Sequence, residues 1–158
     1  MRKSLAALAL GMIVTYAGPS LAGDTHVIKS SGLSWTSGGK NPSKTDGTPI
    51  VIDDLKIGDI IDVQIAPGFP QHGFITITQL ANVPPDQNET KAPVWTCGVA
   101  TKPDTAVLRE IECGAASQVG VKYSGSMKLE VLGTFKADVN FWCFVHHFAM
   151  TGTLKLKQ

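Results

Sequence analysis

The sequence predicts an all-β fold, a single Greek-key β-sandwich, on three observations. Apolar and polar residues alternate with a period of two in several separate stretches, Gly and Pro punctuate the gaps, and no long amphipathic helix interrupts the pattern. In chain order, Ile61, Val63 and Ile65 alternate with Asp62 and Gln64, and Ile75 and Ile77 with Thr76 and Thr78. Met127, Leu129 and Val131 then alternate with Lys128 and Glu130, Val139, Phe141 and Cys143 with Asp138, Asn140 and Trp142, and Leu154 and Leu156 with Lys155 and Lys157. Successive side chains of a strand point to opposite faces, so each stretch reads as a half-buried strand. Gly58-Asp59, Pro67-Gly68, Gly125, Gly133 and Gly152 mark reversals between them. Three stretches lack the pattern. Ser30 to Thr48, rich in Gly, Ser, Lys and Asn, reads as an exposed loop, and so does Asn82 to Pro93 with its Pro84-Pro85 pair. Pro103 to Cys113 is open between a helix, with Val107 and Ile111 on one face, and a strand.

The beginning of the chain follows other rules. Arg2 and Lys3 precede an apolar run from Leu5 to Ala17, and Pro19-Ser20-Leu21-Ala22 places small residues at the −3 and −1 positions before Gly23. This is the pattern of a cleaved secretory signal. A membrane span needs about 20 apolar residues, and this run is shorter and ends in Gly18-Pro19. The expectation is that residues 1–22 are removed and that 23–158 form one soluble periplasmic domain, with an insertion around 82–122. The mature chain then carries 12 basic and 13 acidic residues, a balance that attracts neither nucleic acid nor an anionic membrane.

Three cysteines remain in that domain. An oxidising compartment favours a disulfide, and Cys97 and Cys113 share similar polar, Gly-containing surroundings. They are expected to pair, closing a loop whose constraint contributes about 3 kcal/mol. Cys143 is different: it ends an aromatic strand and precedes two histidines. An odd cysteine in an exported protein needs an explanation, and metal ligation supplies one.

The segment Phe141-Trp142-Cys143-Phe144-Val145-His146-His147-Phe148-Ala149-Met150-Thr151-Gly152 carries the chemistry. The strand points Cys143 inward with Val139 and Phe141, and a tight loop returns His146 or His147, and Met150, toward the sulfur. Thiolate, imidazole and thioether make a soft ligand set, and copper's trigonal site takes two histidines, one cysteine and a weak axial Met. The second histidine must come from elsewhere. His72 stands at the mouth of the Phe74 to Leu80 strand, after the turn Pro67-Gly68-Phe69-Pro70.

His72, then Cys143, His146 and Met150, then Met150-Thr151-Gly152-Thr153-Leu154, together with Leu55-Lys56-Ile57-Gly58-Asp59-Ile60-Ile61, resemble the cupredoxins, the type 1 copper proteins of the plastocyanin, amicyanin and azurin kind. The resemblance covers roughly Ile50 to Leu80 and Met127 to Lys157. It implies a cupredoxin-like sandwich holding one Cu(I)/Cu(II) ion on His72, Cys143, His146 and Met150. His146 keeps the two-residue gap after the cysteine that plastocyanin-like loops have, and His147 is the alternative. Two positions depart from the family: Gly73 replaces the Asn beside the first histidine, and Val145 replaces the Pro before the loop histidine.

The resemblance implies a one-electron carrier rather than an enzyme, since a catalytic copper would need further histidines and the chain has four in all. Copper sequestration or delivery is the alternative. The implied partners are redox proteins docking at an apolar patch near the copper loop, for which Phe69, Phe144 and Phe148 are candidates, and the protein is expected to be a monomer. The cysteine assignment is tested by thiol labelling of the unfolded, unreduced, metal-free protein. Cys143 alone is expected to be modified; a disulfide containing Cys143 would remove the central ligand from the reading.

Overall fold

In β4 (Ile60–Ile65) the alternation holds residue by residue: Ile61, Val63 and Ile65 are buried, and their neighbours are partly exposed. The computed structural model describes residues 23–84, 87, 95–97, 106–112 and 125–158. Among these the other strands are β1 (Thr25–Ser31), β2 (Ser34–Thr36), β3 (Ile50–Leu55), β5 (Phe74–Ile77), β6 (Trp95–Cys97), β7 (Leu108–Glu110), β8 (Gly125–Val131), β9 (Val139–Cys143) and β10 (His147–Leu156). One sheet has the order β2-β1-β4-β8-β7-β6 and the other β3-β10-β9-β5. The pairs β1/β4, β3/β10 and β6/β7 are parallel and the remaining neighbours antiparallel. The chain changes sheet between β2 and β3, β3 and β4, β4 and β5, β5 and β6, and β8 and β9, so the fold is the all-β sandwich that the alternation predicts. A continuous core between the sheets takes Ile28, Val63 and Leu129 from one side and Ile52, Phe141 and Leu154 from the other. Cys143 and Met150 belong to that core. No helix among the described residues is long and apolar enough to cross a membrane.

Ser30 to Thr48, expected to be an exposed loop, is more ordered than its composition suggests. It contains β2, which pairs with β1, and Trp35 in that strand is wholly buried. Ser43 closes the segment by accepting the Trp35 amide at 2.7 Å and donating its own amide to the Trp35 carbonyl at 3.0 Å. One large aromatic among small polar residues suffices to anchor the stretch, because its buried area far exceeds that of its neighbours. The open reading of Pro103 to Cys113 resolves as a strand over Leu108–Glu110, with Leu108 buried and Arg109 paired to Glu130 across the register. The leader 1–22, most of the 82–122 insertion and the Cys97–Cys113 pairing lie outside the described residues.

The Gly58-Asp59 turn is the polar anchor of one end of the sandwich. Asp59 is 2% exposed, yet its Oδ1 accepts the Asp24 amide at 2.9 Å and its Oδ2 accepts both the Lys56 amide and His26 Nε2 at 2.9 Å. Burial pushes the carboxyl upward, but the hydrogen bonds from His26, Lys56 and Asp24 outweigh it and hold its pKa below the ordinary value. The stabilisation is therefore complete above the unfolded-state pKa of about 3.9 and is lost as the pH falls through the lower native value. Denaturation midpoints are expected to drop below about pH 4. Asp59→Asn faces an amide N–H toward these donors and should cost about 1–3 kcal/mol at neutral pH while flattening the acid limb. An unchanged acid limb in that variant would show that another group governs it.

Candidate metal centre

Three strands converge at one register position. Phe74 of β5 and His147 of β10 both pair with Cys143, the last residue of β9. The β9 alternation turns Cys143 inward, where it is fully buried. Residues 144–146 form the turn that follows, and just beyond it Ala149 N–H donates to the His146 carbonyl at 3.1 Å. The next partners in the register are Thr151 and Trp142, so β10 spends four residues where β9 spends one. That excursion bulges the loop and returns Met150 to the core, with zero exposure. His147, at φ 44, makes the reversal; this left-handed backbone is uncommon outside glycine and costs conformational energy that the surrounding contacts must offset.

His72 reaches the same point from the loop before β5. Its Nδ1 stands 3.8 Å from Cys143 Sγ, and His146 Nδ1 stands 3.3 Å from it. The three ligand atoms all lie within 4.8 Å of one another, and among the described residues they are the cluster that could hold a metal ion. With metal–ligand lengths like those of zinc, about 2.3 Å to sulfur and 2.0–2.1 Å to nitrogen, a sulfur and a nitrogen on one ion stand about 3.6–3.8 Å apart at tetrahedral to trigonal angles. The two observed separations bracket that distance closely, so the donors suit an ion with little rearrangement. His72 is 3% exposed, and burial lowers its pKa, with His146 adding to the effect. Burial also lowers the pKa of His146, with His147 contributing. Both rings are thereby held neutral, the form that presents a lone pair to a metal.

The other member of the histidine pair faces elsewhere. The His147 ring packs on Trp142 at 5.2 Å between centroids and on Phe144 at 6.3 Å, on the outer face of the sheet, where Trp142 joins Ile75 and Ile77 in a second apolar cluster. The main chain of Gly73 joins the two loops: its N–H donates to Cys143 Sγ at 3.4 Å and its carbonyl accepts the Phe144 amide at 2.7 Å. An Asn side chain is therefore not needed to tie the loops together. Gly152 has an equally direct role, because the Phe141 ring lies where a Cβ at 152 would stand. The sequence pattern missed Trp35, whose indole N–H donates to the Met150 carbonyl at 3.1 Å. The one visible signal was a Trp isolated in a Gly/Ser/Lys-rich stretch. His26 stands outside the site, engaged with Asp59.

No family model and no curated protein matches this chain. Among solved structures it is similar to auracyanin B, at 15% identity and a TM-score of 0.39, over 85% of this chain and 89% of that one. It is also similar to a dithionite-reduced auracyanin from Roseiflexus castenholzii, at 12% identity and a TM-score of 0.39, over 87% of this chain and 99% of that one. A multi-copper oxidase from Pediococcus acidilactici matches at 10% identity and a TM-score of 0.39, over 98% of this chain and 30% of the oxidase.

The geometry separates the two loop histidines experimentally. With Cu(II) or Co(II) as probe, His146→Ala is expected to abolish thiolate-to-metal absorption, and His147→Ala to leave it nearly intact. The reverse result would move the ligand by one position.

Proposed function

We propose that this chain is a cupredoxin that holds one copper ion on His72, Cys143 and His146, with Met150 as the weak axial donor, and carries single electrons in the periplasm after export. The observation that carries the reading is the donor triangle itself, two neutral imidazole Nδ1 atoms and one buried sulfur within reach of a common ion. His2Cys with a Met on the same loop is the donor set of blue-copper electron-transfer sites, and copper there supplies a one-electron couple. The residues limit rearrangement between oxidation states: Gly73 fixes the sulfur, β9 and β5 fix the ligand-bearing backbones, and the apolar core excludes water.

The exposure pattern supports a carrier over an enzyme. Cys143 and His72 are shut inside, and only His146 is partly exposed, so an electron can leave through its ring edge while a substrate has no approach to the sulfur. Phe69, fully in solvent, and Val145, 40% exposed, offer apolar surface on the two ligand loops where a redox partner could dock. Phe144 and Phe148 are only partly exposed and would contribute their edges.

Titration of the metal-free protein with Cu(II) should give one equivalent bound, with intense visible absorption from the Cys143–copper bond. Electron exchange with a second redox protein is expected to be much faster than copper transfer to a chelator; the opposite order would favour sequestration or delivery. Met150→Leu should keep the copper and its colour while raising the reduction potential, because a soft donor to Cu(II) is lost. Loss of copper in that variant would make Met150 a principal ligand.

A further inference from the structure

Trp35 touches all three segments that bear the donors. Its ring meets Phe74, two residues after His72, at 5.9 Å and 78°, and Phe141, two residues before Cys143, at 5.9 Å and 68°. Its indole N–H donates to the carbonyl of Met150 itself. That carbonyl falls in the break of the β9–β10 register, between the pairs His147/Cys143 and Thr151/Trp142. A buried carbonyl without a partner is costly, so Trp35 decides how the Met150 backbone is turned. The same segment grips the loop a second time. Thr151 Oγ1 donates to the Gly47 carbonyl at 3.0 Å, and the Phe148 ring lies on Gly47, which has φ 91 and where a Cβ would collide with that ring.

We infer that Trp35 is a positioning residue of the metal centre, which sets the distance of the Met150 thioether from the His72–Cys143–His146 triangle by holding the Met150 carbonyl. This rests on the copper reading above. The stretch from Trp35 to Thr48 is then an outer brace of the ligand loop, and Ser43 keeps the indole aimed by accepting the Trp35 amide. Removing the indole N–H frees the Met150 backbone to turn, which weakens the axial contact without touching the three principal donors.

The test is a double-mutant cycle on the copper-loaded full domain. Trp35→Phe keeps an aromatic ring and deletes the donor. It is expected to bind one Cu(II) with its visible absorption retained, to raise the reduction potential in the direction of Met150→Leu but by less, and to move the Cu(II) EPR spectrum toward that variant. In the Met150→Leu background, Trp35→Phe should shift neither quantity further. A packing role alone would lower thermal stability in both backgrounds and leave the potential unmoved, or move it equally in both; either outcome overturns the inference. Should Trp35→Phe fail to fold, Ser43→Ala enters the same cycle with the same expected signs. If the wild-type protein binds no Cu(II) through Cys143, the copper reading fails separately. The Met150 methyl resonance of the metal-free protein then decides: displacement in Trp35→Phe supports the inference, and an unmoved resonance overturns it.

Discussion

The period of two in β9 governs this end of the molecule. With Val139 and Phe141 committed to the core, Cys143 has to point between the sheets and Trp142 has to point out. A slip by one residue would exchange them, putting an indole in the donor position and the thiol on the outer face. Register is therefore strongly specified here, because the inward face of β9 is buried throughout and Trp142 is buried on the outward one. Pairing of Phe74 and His147 with the same cysteine then leaves the ligand loops almost no freedom in where they meet.

The site sets polar donors in an apolar setting and reduces the cost through its hydrogen bonds. Buried imidazoles are cheaper neutral than charged, which is the state that burial enforces on His72 and His146. The sulfur accepts a main-chain N–H from Gly73, a donor that among substitutions at that position only proline would remove. The link between the ligand loops thus resides in the backbone of position 73 and needs no side chain there.

How much of this could be read beforehand follows from the range of each interaction. Cys143, His146 and Met150 are neighbours in sequence, and their loop is legible because residue type and spacing alone bring them together. His72 was legible from its place before a strand. Trp35 was not: its contacts are with Phe74, Phe141 and Met150, the last 115 positions away, and its surroundings have the composition of a loop. Strands β1 and β3 were missed for a related reason. Both pair in parallel with distant partners, β4 and β10, and neither shows a long clean alternation. His147 illustrates the converse, since local spacing kept it as the alternative donor to His146, whereas packing on Trp142 turns it to the outer face.

The Asp59 anchor also fixes the molecule's polarity as an object. Gly23 packs against Gly58 and Asp59, and β4 runs from there toward the loop that bears His72, about 20 Å at strand rise. Whatever is joined upstream of Gly23 leaves from the pole opposite the donor triangle. A tether or an electrode linker attached there would hold the domain with its Phe69 face directed away from the support. Orientation on a surface is thus built into the place where the first strand is pinned.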